Sequence, residues 1–569
     1  MYKSLSFVFF LISLVLAETN VDPTVTTEYG EIEGINYKTP SGFETQMFLG
    51  IPFAKPPIDD LRFEKPLPPI PWTEPLQAKT LGARCATYPD TMAPDGKEDC
   101  LTLNIIKPAE PSHDSSGYTV MVWIHGGAFV VGSAVDYNHT ETAERMVSQG
   151  IIFVSINYRL GPVGFFSTGT SEAPGNYGLW DQLQALKFIQ KVIPSFGGNP
   201  KSVTIFGESA GGASVSWLTL NPAAKNFFAR AIPMSGSALA PWAYTEEVVA
   251  TSAKLIEATG CQGSSNVKKC LKSKSTEEIK EATSKFAPTV LKADGVNLAN
   301  FHPRIDGEFL QGLTVEEAIQ KAAKKDHFMG ICSQEHIIFA IKGGFTDPNG
   351  KLMPITPEKA ANFTREDFVE IVYKILGTKE VYGTNADAAA EDILKYYESQ
   401  KSAYSRNLYL HLYAQLFSDI SFNIPTLREA QLKAAAGQKV YFYVYSFVPE
   451  SAKHDLFDGA GHASELSNFF GSMKLNFFYE FPLEKDAAKV QKTMVDLFVN
   501  FARTGIPSSE NLEVPSLNTP NKTPYVEIDA NTKINNNLWA DRIEFWENHS
   551  KKFGFDWPQN RKIQIRDEL

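Results

Sequence analysis

Val203-Thr-Ile-Phe-Gly-Glu-Ser209-Ala-Gly-Gly212 decides how the rest of this chain is read. An apolar run breaks off at a glycine, a serine follows, and three small residues come after it. That pattern suits a sharp strand-to-helix turn, where the serine takes strained backbone angles and its neighbours carry almost no side chain. Such a turn lifts a hydroxyl clear of a sheet, so Ser209 is a candidate nucleophile. Ser214 to Leu220 is expected to continue as a helix. The positive end of that helix would face the place where negative charge develops.

Working outward, apolar runs without polar alternation occur at Thr119 to Ile124, Ile151 to Ile156, Val203 to Phe206, Phe328 to Ile331 and Val440 to Phe447. These read as strands buried on both faces. Helical stretches such as Asp181 to Ile193 separate them, which predicts an α/β fold with a large, mostly parallel central sheet and helices on both faces. Val25 to Asn36 alternates like a small antiparallel N-terminal edge, and Phe48 to Ala54 with the prolines after it reads as an irregular wrap. In such a sheet the active residues belong at the C-terminal ends of the strands.

The first such end is Trp123-Ile-His-Gly-Gly-Ala128-Phe129. Small residues there let backbone N–H groups approach a developing oxyanion, so Gly127, Ala128 and, after the serine, Ala210 are the expected donors. A base is also needed. His113, His139 and His549 lie in polar, loop-like or sequon contexts, whereas His462 sits in the glycine-rich Asp458-Gly-Ala-Gly-His462 beyond the strongest C-terminal strand. The chain order serine, acid, histidine favours His462. The acid must then lie between them. Glu335, after the strand ending near Ile331, is the leading candidate, with Asp306 and Glu308 in a hairpin-like turn as rivals.

The 569 residues carry a net charge of −11, with no basic stripe for phosphates, so nucleic acid is not an expected partner. Met1 to Ala17 has the basic start, apolar run and small-residue end of a signal peptide, and no later apolar run is long enough to predict a membrane span. Residues 18–565 then read as one domain, since no linker-like tract interrupts them. Cys85 with Cys100 and Cys261 with Cys270 are expected local disulfides, leaving Cys332 as a buried thiol. Asn138, Asn362, Asn521 and Asn548 open glycosylation sequons. Arg566-Asp-Glu-Leu569 resembles a tail read by the retrieval receptor of the endoplasmic reticulum.

Six motifs in order make the chain similar to the type-B carboxylesterases of the carboxylesterase/cholinesterase family: Glu98 to Asn104, His125 to Phe129, Asn157 to Phe165, Gly175 to Gln182, Phe196 to Pro200 and Gly207 to Gly212. The resemblance implies an α/β-hydrolase fold and a Ser–Glu–His triad, with the glutamate in the segment of Glu335 and the histidine in that of His462. It also implies the two local disulfides. Three positions depart from the family pattern. Ala128 stands where a third glycine is common, and His336 follows the acid where glycine is usual. The loop Ala86 to Gly96 lacks the tryptophan that receives choline, which disfavours choline esters. Acyl-pocket aromatics of cholinesterases would fall near Asn297 and Ala299, implying more room. The expectation is a serine esterase of small to medium carboxylic esters, with no metal or cofactor. A lipase for longer chains and, from another class, a non-catalytic adhesion protein are the alternatives.

Overall fold

The computed structural model describes residues 21–88, 94–289, 295–337, 357–400, 407–453, 456–471, 485–517 and 523–563. The expected signal peptide, the C-terminal tail, Asn521 and part of the loop 86–96 lie outside these. The strands of the large sheet are β1 (Ile35–Lys38), β2 (Glu44–Pro52), β3 (Thr102–Pro108), β4 (Tyr118–Ile124), β5 (Ile152–Ile156), β6 (Gly198–Glu208), β7 (Arg230–Met234), β8 (Asp326–Cys332), β9 (Lys439–Tyr445), β10 (Tyr525–Ile528) and β11 (Lys533–Asn535). They lie side by side in the order β11-β10-β9-β8-β7-β6-β4-β5-β3-β2-β1. From β10 across to β5 the pairs are parallel, while β11 and, at the other edge, β3, β2 and β1 run antiparallel.

Each central strand is buried on both faces because its two sets of alternate side chains enter two different cores. Val440, Phe442 and Val444 pack on one side of β9, and Tyr441, Tyr443 and Tyr445 on the other. Helix α1 (Tyr177–Val192) lies on the first side. The amphipathic helix Lys485–Thr504 lies on the second, where Phe498 and Phe501 meet Phe328. All five expected strands are present. The helix after the serine, α2 (Ala210–Leu220), begins earlier than Ser214, immediately after Ser209.

Two readings change. Phe48 to Pro52 is not an irregular wrap but the end of β2, paired antiparallel with β3 across a register shift between Phe48 and Ile51. Gly50, at φ 74°, makes that bulge and takes its N–H out to the Asn104 amide oxygen, which breaks the alternation by which a strand is recognised. Likewise the N-terminal edge is divided. Thr24–Thr27 and Gly30–Glu33 form a separate antiparallel pair, extended by Leu76–Gln77, while Ile35–Lys38 joins the large sheet.

Cys85–Cys100 and Cys261–Cys270 are disulfide-bonded, and Cys332 is a buried free thiol. Asn362 and Asn548 are exposed, whereas Asn138 is half-buried, its side-chain oxygen accepting from Thr140 N and Glu141 N as a helix cap. Next to Asn548, His549 is not a surface sequon residue. It is buried between the Tyr382 hydroxyl at 3.0 Å and Asp392 at 2.9 Å. Among the described residues no helix is long and apolar enough to cross a membrane.

Arg159, just beyond β5, and Asp181 on α1 form a two-pronged pair, Nε to Oδ2 and Nη2 to Oδ1 both at 2.7 Å, with both side chains almost wholly buried. Asp181→Ala is expected to leave a buried guanidinium uncompensated and to lower unfolding stability by about 3–5 kcal/mol. Urea denaturation checks this; a loss within experimental error would refute it.

Candidate active site

The chain runs from β4 out to β5 and then returns to the other side of β4 as β6. That reversal of strand order opens a crevice at the C-terminal ends of β4 and β6, the place where parallel α/β sheets bind ligands. The ends are level, with Ile124 opposite Gly207 and Met234 opposite both Glu208 and Gly330. The loop after β4, the turn after β6 and the segments after β8 and β9 therefore emerge together.

Ser209 occupies the turn between β6 and α2 with φ 58° and ψ −124°, a conformation that costs an L-residue on the order of 1–3 kcal/mol. Its own N–H donates to Met234 O at 2.9 Å, and its carbonyl accepts from Ala213 N at 2.8 Å. The chain packs so closely here that a Cβ on Gly211 would lie 2.0 Å from Ile124 O, and one on Gly236 2.2 Å from Ser209 O. Unlike the buried residues on either side, Ser209 is partly exposed.

The loop after β4 abuts this turn, since a Cβ on Gly126 would fall 3.0 Å from Ser209 Cβ. Gly127, Ala128 and Phe129 all have positive φ, at 110°, 53° and 62°, and Gly127 O accepts from Val130 N and Val131 N to close the loop. The Ala210 N–H is the first of α2, so no carbonyl within the helix can receive it. His125 anchors the loop. Its ring stacks on Tyr158 at 4.4 Å, its Nδ1 lies 2.8 Å from Gly126 O, and burial lowers it to about 4, keeping it neutral.

His462 Nδ1 lies 2.5 Å from Glu335 Oε2, and its Nε2 lies 3.1 Å from Oε1 of Glu208, the neighbour of Ser209 in the chain. Glu335 is fully buried, and its other oxygen accepts from the Ser235 hydroxyl at 2.6 Å and Cys332 N at 2.7 Å. The rival acid takes a different part. Asp306 Oδ1 receives the N–H groups of Glu308 and Phe309, an Asx turn in a loop that no strands flank among the described residues, so the segment is not the expected hairpin. His336, after the acid, is buried with its backbone N–H on Ser418 Oγ and its ring against Tyr413.

Several neighbours of the site carry no sequence signal. Ser235 lies after β7, and Glu465, three residues beyond His462, accepts from the Cys332 thiol at 2.7 Å. Glu429, buried beside Lys433 at 2.7 Å, accepts from the Ser237 hydroxyl at 2.5 Å and Ala238 N at 2.9 Å. It thereby fixes the loop that carries Ser235. Phe422, whose ring is 4.6 Å from that of His462, sits in a π-turn (Asp419–Asn423) between helices Leu408–Ser418 and Ile424–Ala435. Trp242 lies 5.5 Å from Phe422 and 6.3 Å from Phe129, making an aromatic wall. Asn297 is buried, with its amide on Glu247 Oε2 at 2.8 Å and near His302 Nε2 at 3.2 Å.

Residues 21–546 match the carboxylesterase family model. This protein belongs to that family. Gut esterase 1 of Caenorhabditis elegans is 35% identical over 98% of this chain and 100% of its own length, and that of Caenorhabditis briggsae is 35% identical over 94% of each. Bile salt-activated lipase of Bos taurus is 33% identical over 92% of this chain and 87% of its own. As a family member the chain is a carboxylic-ester hydrolase on the α/β-hydrolase fold.

The charge balance of the site follows from burial. Burial pushes Glu208 up to about 8 and Glu465 up to about 7. Burial opposes the imidazolium of His462, but Glu208, Glu335 and Glu465 outweigh it and raise His462 to about 9. Glu208, Glu465 and His462 each bind protons more tightly folded than unfolded, so the stability they confer is lost as pH rises through their folded values. The urea midpoint is expected to fall between pH 6.5 and about 9, the span over which His462 titrates later than an ordinary histidine. Glu208→Gln, which cannot ionise, should flatten that fall; an equal slope in the variant would contradict the assignment.

Proposed function

We propose that the protein is a serine carboxylesterase for small to medium carboxylic esters, working through an acyl-enzyme on one catalytic domain, residues 18–565, without metal or cofactor. The observation that carries the reading is His462 held between Glu335 and the residue preceding the strained Ser209. Ser209 attacks the ester carbonyl while His462 Nε2 takes the hydroxyl proton. Glu335 accepts the Nδ1–H, fixes the tautomer and stabilises the imidazolium. The N–H groups of Gly127, Ala128 and Ala210 receive the oxyanion. His462 then protonates the departing alkoxide, and water attacks the acyl group with the same base.

A chromogenic ester series from acetyl to palmitoyl, with Ser209→Ala as blank, tests this. Serine-dependent hydrolysis falling at long chains is expected. A rise on insoluble long chains would favour the lipase reading, which the likeness to bile salt-activated lipases keeps in view. Activity equal to the blank would leave a binding protein. Glu335→Gln should keep the fold and lower kcat by roughly 10³–10⁴-fold. A near-normal rate in that variant removes Glu335 from the triad.

The proposal extends to location: residues 1–17 direct the chain into the secretory pathway, and Arg566 to Leu569 return it to the endoplasmic reticulum through the retrieval receptor. Exchanging the tail for a neutral one should raise the secreted fraction, and an unchanged distribution would overturn retrieval.

A further inference from the structure

Cys332 takes no part in the chemistry above, yet it binds two of the buried carboxyl groups around His462. Its N–H donates to Glu335 Oε1 and its thiol to Glu465 Oε2, both at 2.7 Å. Cys332, Glu335 and Glu465 are all fully buried. As the last residue of β8, in register with Tyr445, Cys332 is fixed by the sheet itself.

We propose that Cys332 is a positioning residue: its thiol, hydrogen-bonded to Glu465 Oε2, holds that carboxyl group as a carboxylate beside the imidazole and so supports the proton on His462. The inference rests on the Ser209–Glu335–His462 reading. A carboxylate in a dry interior needs donors, and with fewer of them it holds a proton to higher pH. The thiol is a lasting donor. Burial first, and then the charges of Glu465 and Glu335, push Cys332 well above the ordinary thiol range, so it keeps its proton wherever the enzyme works.

The groups that face Glu465 set what its loss of a donor does. They are Cys332 and Glu335 from β8 and the segment after it, His462 on its own segment, Glu208 from β6, and the phenols of Tyr443 and Tyr445 from β9. Asn468 donates to the backbone carbonyl of Glu465, at 2.8 Å, and the carboxyl group also accepts from its own backbone N–H. Of these, the Cys332 thiol is the side chain that favours the ionised carboxylate by a hydrogen bond, and His462 favours it by charge. Removing the thiol makes Glu465 hold its proton to higher pH. The imidazole then loses a negative neighbour and gives up its own proton at lower pH.

The test is the pH dependence of kcat/KM for a soluble chromogenic acetate ester, measured on the full chain. Ser209→Ala and His462→Ala are read first: if either keeps normal activity, the triad reading falls and this inference falls with it. If both are inactive, Cys332→Ala is expected to move the acid limb down by about half a pH unit or more. Cys332→Ser, which retains a donor, should restore the limb, and Glu465→Gln should move it in the same direction as Cys332→Ala. Adding Cys332→Ala to Glu465→Gln should produce no further shift, because the two changes remove one interaction. A limb unmoved in Cys332→Ala, no recovery in Cys332→Ser, or full additivity in the double variant each overturns the inference while leaving the triad standing. Should Cys332→Ala fail to fold, Glu465→Gln decides, since an unmoved limb there also overturns it.

Discussion

The backbone of β6 passes so close to that of β4 at their C-terminal ends that no side chain fits between them. Ile124 O occupies the space where Gly211, and at 2.4 Å Gly207, would carry a Cβ. This contact lets the chain turn from strand to helix at once, and the turn forces Ser209 into its positive-φ conformation. Strain of this kind persists only where the surroundings over-determine it. Here Met234 O, Gly236 and the loop Gly126 to Phe129 close on the serine from neighbouring strand ends.

The electrostatics depend on the same convergence. Glu208 at the end of β6, Glu335 after β8 and Glu465 beyond β9 enter one buried space with the His462 imidazole among them. Such carboxyl groups cannot all ionise cheaply, so protons are shared and the histidine is held above its ordinary value. The hydrogen bonds from Ser235 and Cys332 N make Glu335 the best-satisfied carboxylate of the three. Glu429 acts at one remove, accepting from the Ser237 hydroxyl and Ala238 N in the loop that bears Ser235 and from the Ser216 hydroxyl on the helix that follows Ser209.

Much of this was legible in local pattern. Buried parallel strands write themselves as unbroken apolar runs, and the tight turns at Ser209 and at Gly126 to Ala128 write themselves as clusters of small residues. Where the pattern was interrupted, the strand was hidden. β7 carries Pro233, which counts against a central strand, and β2 carries the Gly50 bulge. His549 illustrates the opposite error, because a sequon beside it says nothing about which face of the helix Ala540–Phe553 its ring occupies.

By itself the sequence determined the sheet's nature, the turn that presents Ser209, the loop that faces it and the two short-range disulfides, because each depends on residues close together in the chain. Tertiary structure decided that Glu335 rather than Asp306 meets His462, that Ser235 and Cys332 support that carboxyl group, and that Phe422 and Trp242 form the wall beside it. Those partners are separated by tens to hundreds of residues, and a single carboxylate or serine looks the same in sequence whether it closes a turn or completes a site. Only the order of the strands, which brings their ends into one crevice, tells the two apart.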